Sequence, residues 1–314
     1  PGDVVPVGDY TWEAIWHKGL GLRLVGWACN SGRAPFDSPG GNWGGDMGNP
    51  CAVACDGERL ILGWSGSEAG KAVVCTDFDG NVQWRHKRGG FGMARQVAAA
   101  GGVVFVYDRQ SGGNQVYRLD AGKGDYTPWK DSTEAILDVT ALLKPFLPAN
   151  LESVPKEEAE APSLTGMDAA GGKLFLSYGV GGRVLILDAS TGKLEKAVAV
   201  ERPGDLEVGV DGKCYVLSGG TRLVRFDPGA GTTEPVVTDL RNAAAVACDA
   251  AGQLYIGVGE PDNQVKVFGP DGKPLRVIGK LGGRPPLGKW DASGMRAISG
   301  LRTDPQGKLW VMEN

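Results

Sequence analysis

One stretch of this chain recurs, and the recurrence constrains the fold more than any other feature. Residues 246–273 read VACDAAGQLYIGVGEPDNQVKVFGPDGK: two short apolar runs around a tight turn, a loop, a third apolar run and a second turn. AVACD stands at both 52–56 and 245–249. The first turns, Gly171-Gly172-Lys173, Gly212-Lys213 and Gly252-Gln253, lie about 40 residues apart. Second turns follow at Asp79-Gly80-Asn81, Ala121-Gly122-Lys123, Thr191-Gly192-Lys193 and Asp271-Gly272-Lys273. The copies span 51–87, 94–126, 166–200, 206–237 and 245–278, and a sixth, ISGLRTDPQGKLWVMEN, supplies only its first two strands. A four-stranded unit of this length is apolar on both faces and cannot bury them alone; stacking the units into a ring can. The expectation is an all-β chain, a single domain over 1–314 folded as a six-bladed β-propeller. Glycine, 51 of 314 residues and roughly twice the usual share, suits a chain with many tight turns.

The half-copy at the end poses a closure problem. Residues 10–29 read as a hairpin, YTWEAIWH and LRLVGWAC, with Lys18-Gly19-Leu20-Gly21 as its turn. This hairpin is expected to complete the last blade together with 296–313, which also protects the edges. The competing reading is a truncated seven-bladed ring: the missing strands lie beyond Asn314, and Tyr10–Trp27 ends a preceding module. GDYTWEA is similar to the closing strand of bacterial Ig-like modules of the flagellar hook-cap type, and both chain ends read as cuts in a longer polypeptide.

Two segments interrupt the repeat. Residues 127–164 form an insertion in which Ile136, Leu137, Val139, Leu142 and Leu143 are spaced for a short helix within about 132–147, ended by Pro145 and Pro148. The acidic ESVPKEEAEAP that follows is expected to be mobile. Residues 279–295 form a second long loop.

Charge and cysteine usage exclude several classes. A net charge of −4 with a pI of 5.4 gives no electrostatic basis for binding nucleic acid. The absence of a long apolar run argues against membrane insertion. The six Cys residues include no CxxC pair and the two His are far apart, so no metal and no cofactor are assigned. Cys55, Cys75, Cys214 and Cys248 lie in apolar runs and read as small buried hydrophobes. Cys29 and Cys51 flank one polar loop, and whether they pair stays open.

The repeat resembles the NHL-type propellers. Val246-Ala247-Cys248-Asp249, Gly252-Gln253-Leu254-Tyr255-Ile256, Gln264-Val265-Lys266-Val267-Phe268 and GLRTDPQGKLWVMEN carry the likeness, over roughly 50–314. It is also similar to uncharacterised propellers within large bacterial envelope polypeptides. In such families the repeat specifies architecture and activities differ widely. The turn Leu187–Lys193 and the run Asp79–Trp84 partly resemble pyrroloquinoline-quinone propellers, but only the first copy has the docking Trp. The six-bladed lactonases hold a divalent cation with Glu, Asn and Asp; Asp205, Glu207 and Asn242 are the residues that likeness selects, without a surrounding family motif.

Inner strands should begin near Asn49, Arg95, Thr165, Asp205, Asn242 and Arg296. That puts Arg95, Arg241 and Arg296 at the channel mouth, beside Asn242. They either fork onto an anionic ligand such as a uronic-acid glycan or pair with Asp46, Asp205 and Glu207. Those three acids are the candidates for acid–base catalysis. In the Gly-rich loop 30–50, Trp43 either stacks on a sugar, with Asn42, Asp46 and Asn49 bonding hydroxyls, or packs with Phe36 onto the ring. His17 and His86 read as edge residues, and no GxSxG elbow occurs. The reading is an extracellular or cell-envelope module that binds a protein partner or glycan and has no catalytic activity. The alternative is a carbohydrate-active lyase or hydrolase acting on an acidic glycan at the channel mouth.

Overall fold

The computed structural model describes residues 4–6, 13–17, 21–25, 50–64, 73–79, 81–86, 94–110, 113–285, 291 and 293–313. Three short strands come first: β1 (Val4–Pro6), β2 (Glu13–His17) and β3 (Gly21–Val25), paired antiparallel in that order. Five four-stranded antiparallel sheets follow. The first holds β4 (Pro50–Cys55), β5 (Leu60–Trp64), β6 (Val73–Thr76) and β7 (Val82–Arg85). The second holds β8 (Ala94–Ala100), β9 (Val103–Gln110), β10 (Gly113–Asp120) and β11 (Ile136–Asp138). The third holds β12 (Gly166–Ala170), β13 (Lys173–Tyr178), β14 (Arg183–Asp188) and β15 (Leu194–Ala199). The fourth holds β16 (Pro203–Val208), β17 (Cys214–Ser218), β18 (Arg222–Phe226) and β19 (Thr233–Val237). The fifth holds β20 (Ala243–Cys248), β21 (Leu254–Val258), β22 (Gln264–Phe268) and β23 (Pro274–Ile278). A sheet of two strands, β24 (Ile298–Thr303) and β25 (Leu309–Glu313), ends the chain.

The first strand of each sheet packs beside the first strand of the next, from β4 through β8, β12, β16 and β20 to β24, and β24 returns to β4. The sheets therefore stand as blades around an axis, with inner strands starting within about two residues of the positions read from the repeat. The core lies between blades. Phe175, Val184, Ile186 and Val198 of the third blade meet Leu206, Cys214, Val216 and Phe226 of the fourth. The fourth meets the fifth through Tyr215, Leu217, Leu223, Val246, Leu254 and Ile256.

The turn chemistry explains why the repeat folds the same way each time. Asp249 accepts from the N–H groups of Ala251 and Gln253, and its other oxygen accepts from the Tyr255 hydroxyl at 3.0 Å. Asp304 does the same for Gln306, Lys308 and the Trp310 indole N–H, and Asp211 clasps the Tyr215 hydroxyl. A carboxylate thus satisfies the turn's backbone donors while an aromatic from the second strand clamps it. Glycine closes the turn where φ is positive, as at Gly252 (φ +77). Gly166 serves a different need: a Cβ there would sit 2.6 Å from the Gly204 carbonyl oxygen, so the inner strands β12 and β16 approach closely only because that side chain is absent.

Residues 127–164 depart from the expectation of a helix over 132–147. Ile136 and Leu137 belong to β11, which gives the second blade its fourth strand against β10. Helix α1 (Val139–Leu143) then runs for five residues, capped by Asp138, whose carboxylate accepts from the Thr140 N–H. A 3-10 turn at Lys144–Phe146 and a second short helix, α2 (Lys156–Glu160), follow. Val139 and Leu143 are fully buried against the second and third blades. The acidic stretch, expected to be mobile, is tied down. Arg109 pairs with Glu158 at 2.9 Å and donates to the Ala161 carbonyl; Asn114 donates to the Pro162 carbonyl; the Leu164 N–H donates to the Tyr107 hydroxyl. Among the described residues, no helix is long and apolar enough to cross a membrane.

Candidate functional site

One register position recurs in every inner strand: the residue opposite Ile61, Phe105, Phe175, Tyr215, Tyr255 and Trp310 of the neighbouring second strand. Around the ring it is occupied by Ala54, Ala98, Asp168, Glu207, Ala247 and Arg302. Three alanines and three charged residues thus share one level of the channel. Asp205 lies two residues before Glu207 on β16.

Arg302 is the hub. Its Nη1 lies 3.2 Å from Glu207 Oε2, in ion-pair contact without hydrogen-bond alignment, and donates to the Leu301 carbonyl at 2.7 Å. The contact reaches past β20, where Ala247 leaves room for it, and the same nitrogen lies 3.5 Å from the Val246 carbonyl oxygen. The other two acids bridge blades. Asp168 Oδ2 accepts from the Val208 N–H at 2.8 Å, and Asp205 Oδ2 accepts from the Val246 N–H at 3.0 Å. Each carboxylate on an inner strand thereby satisfies a backbone donor on the next. Thr303 adds a bond from its hydroxyl to the Cys248 carbonyl, at 2.6 Å.

Burial governs the electrostatics. Asp168 and Arg302 retain 8 % and 5 % of their surface, and the Glu207 side chain 14 %. Loss of hydration pushes Asp205 up to about 6, against the pull of Arg302 and the Val246 and Leu206 N–H groups. Glu207 is raised well above the usual carboxylate range by the same desolvation, only partly offset by Arg302, and Asp168 is raised likewise. Desolvation works against the charge on Arg302 too, but Glu207, Asp168 and Asp205 outweigh it and hold the guanidinium protonated. Among the described residues, no group of three or more His, Cys, Asp or Glu side chains is arranged to hold a metal ion. A guanidinium sits among these acids instead.

Of the residues picked from sequence, Asp205 and Glu207 do lie in the channel. Trp43, Asp46 and the Cys29–Cys51 question lie outside the described residues. Arg95, second residue of β8, and Arg241, before β20, are exposed at the rim where inner strands begin. Arg296 is half-buried, and its N–H donates to the Glu313 carboxylate. Asn242 is exposed at φ +48, with its side-chain amide donating to the Glu260 carbonyl at 2.6 Å. Neither Asp205 nor Glu207 is paired with a rim arginine; the cation that meets them is Arg302, deeper in the ring. Arg302 and Asp168 were missed, although an alignment of the six copies at this register position singles both out. On the rim, Thr221, Arg222, Thr238, Asp239, Leu240 and Arg241 line a recess of about 500 Å³ between two loops of the fourth blade. Cys55, Cys75, Cys214 and Cys248 are free thiols; the last three are buried and Cys55 is half-buried. Desolvation raises Cys214 and Cys248 well above the ordinary thiol range, which leaves them unreactive.

No family model and no curated protein matches the chain. The fold does match solved structures. A structural-genomics protein of unknown function from Bacteroides thetaiotaomicron aligns with a TM-score of 0.58 at 12 % identity, over 86 % of this chain and 68 % of that one. A streptogramin B lyase aligns with a TM-score of 0.53 at 11 % identity, over 86 % of this chain and 92 % of the lyase. A chain of the mitotic checkpoint complex aligns with a TM-score of 0.53 at 12 % identity, over 84 % of this chain and 71 % of that one. The architecture is a β-propeller. At such identities the likeness extends to fold alone.

Proposed function

We propose that this chain is a six-bladed, NHL-like propeller that serves as a binding or assembly module outside the cell or in its envelope, without catalytic activity of its own. The observation that carries the reading is the channel's internal bookkeeping of charge. Asp168 and Asp205 each bind a backbone N–H of the neighbouring blade, and Glu207 faces Arg302. Acids engaged in this way hold blades together, a structural duty that supports a scaffold rather than a catalyst. Recognition then falls to the rim. Arg95, Arg202, Arg241 and Arg296 lie near inner-strand starts, and Arg183 and Arg222 open the third strands of their blades on the same side. Such a rim suits an acidic protein surface or an acidic glycan.

The second reading, a glycan lyase or hydrolase, draws support from the raised acidity ranges of Asp205 and Glu207, since perturbed carboxyls gather at active sites as well as in structural networks. Turnover assays on a panel of uronic-acid oligosaccharides separate the two, using the wild type and Glu207→Gln. The module reading expects no turnover from either protein. Turnover by the wild type that disappears in Glu207→Gln overturns it.

A further inference from the structure

The sheet β24–β25 stands in the ring between blades of four strands, yet it has two. Its position is that of a full blade. Leu309 and Val311 pack toward the fifth blade, with Tyr255, Val265 and Val267, whereas Trp310 and Met312 pack toward the first, with Leu62, Val74 and Val82. The wedge therefore has apolar walls on both sides. The outer edge of β25 has no strand partner among the described residues. An edge of this kind, in a slot shaped for a sheet, accepts further strands rather than solvent.

We propose that the β2–β3 hairpin of this same chain fills that slot, with β2 paired to β25 and β3 outermost. Three observations point to it. The number and length match: β2, β3 and β25 each have five residues and β2 and β3 are already paired from Glu13↔Val25 to His17↔Gly21. The direction matches: with β2 antiparallel to β25, β3 ends on the side where β4 begins, as β15 and β19 do before β16 and β20. The sequence pattern matches. Third strands of this ring, such as RVLILD, carry successive apolar residues, and β2 has Ala14-Ile15-Trp16; outer strands, such as PLRVI, mix in polar residues, and β3 reads GLRLV. In this structure β1 pairs with the edge of β2 that β25 would take. β1 is three residues long and ends in Pro6, which has no N–H to give, so β25 is the longer and better-matched partner.

Hydrogen exchange tests this on the full chain. The amides of 309–313 that turn away from β24 should exchange as slowly as those of β17. Ile15→Pro, which removes a donor from the middle of β2, should speed them by at least about tenfold while β13 and β14 stay unchanged. Deleting residues 1–29 should do the same. Outward β25 amides that exchange at the rate of an open edge in the wild type refute the proposal. So does protection that survives Ile15→Pro, whether or not the deletion variant folds. Protection that grows with protein concentration, together with a dimer on size exclusion, also refutes it, because the strands would then come from a second copy.

Discussion

Arg302→Met gives the sharpest check on the channel. The substitution keeps an apolar stem of similar length and removes the only cation facing Glu207, Asp168 and Asp205 among the described residues. The loss can be worked from Asp205. With Arg302 present it titrates near about 6, so neutralising it at about pH 7.5 costs roughly 2 kcal/mol, which caps what its attraction to Arg302 contributes. The Leu301 carbonyl also loses its donor, worth about 1 kcal/mol more. The total is about 3 kcal/mol at pH 7.5, the lower end of the usual range for breaking a buried pair. At about pH 5 the acids are largely protonated, so the difference should shrink to about 1 kcal/mol. Urea unfolding of both proteins at the two pH values reads it from the midpoints at constant slope. A loss under about 1 kcal/mol at pH 7.5, or one that does not change with pH, refutes the reasoning.

Other expectations follow from the same contacts. Ala247→Leu puts a branched side chain between Glu207 and Arg302 at a fully buried site and should lower stability by about 1–3 kcal/mol in urea unfolding. Gly166→Ala forces β12 away from the Gly204 carbonyl and should cost a similar amount, about 1–3 kcal/mol, by the same assay. Asp205, Glu207 and Asp168 bind protons more tightly folded than unfolded, so they lower stability as pH rises through about 6; the melting temperature should climb between about pH 7.5 and pH 5. Asp188, held low by Ser190 and Thr191, opposes this only below the ordinary carboxylate range. Arg109→Ala releases Glu158 and the Ala161 carbonyl, and limited proteolysis should then cut within 150–162 well before the blades.

The propeller was legible because each copy repeats its turn chemistry: Asp249, Asp304 and Asp211 each bind turn amides and a downstream aromatic, and that pattern survives in sequence without neighbours. Asp205 and Glu207 were legible because both stand near the start of an inner strand and match the acids that the lactonase likeness selects. Arg302 was hidden because the candidate arginines were sought where inner strands begin, at the channel mouth. Strand starts form the rim, where Arg241 meets solvent; a side chain reaches the shared level of the channel only further along, opposite Trp310. The 127–164 segment misled for another reason. Helical spacing of Ile136, Leu137 and Val139 gave way to the need of β10 for an outer partner, so tertiary pairing took the first two and left α1 a single turn and a half. The tether from Arg109 to Glu158 joins residues far apart in sequence, and composition alone carries no sign of it.

Carboxyl carbon shifts followed by NMR through a pH titration bear most directly on the view that Asp168, Asp205, Glu207 and Arg302 form a buried ionic core in the channel. The account predicts that Asp205 titrates near 6 and Glu207 well above the ordinary glutamate range, and that Arg302→Met moves both higher. Both groups titrating near about 4, with no response to Arg302→Met, would mean a wet and open channel and would contradict the account.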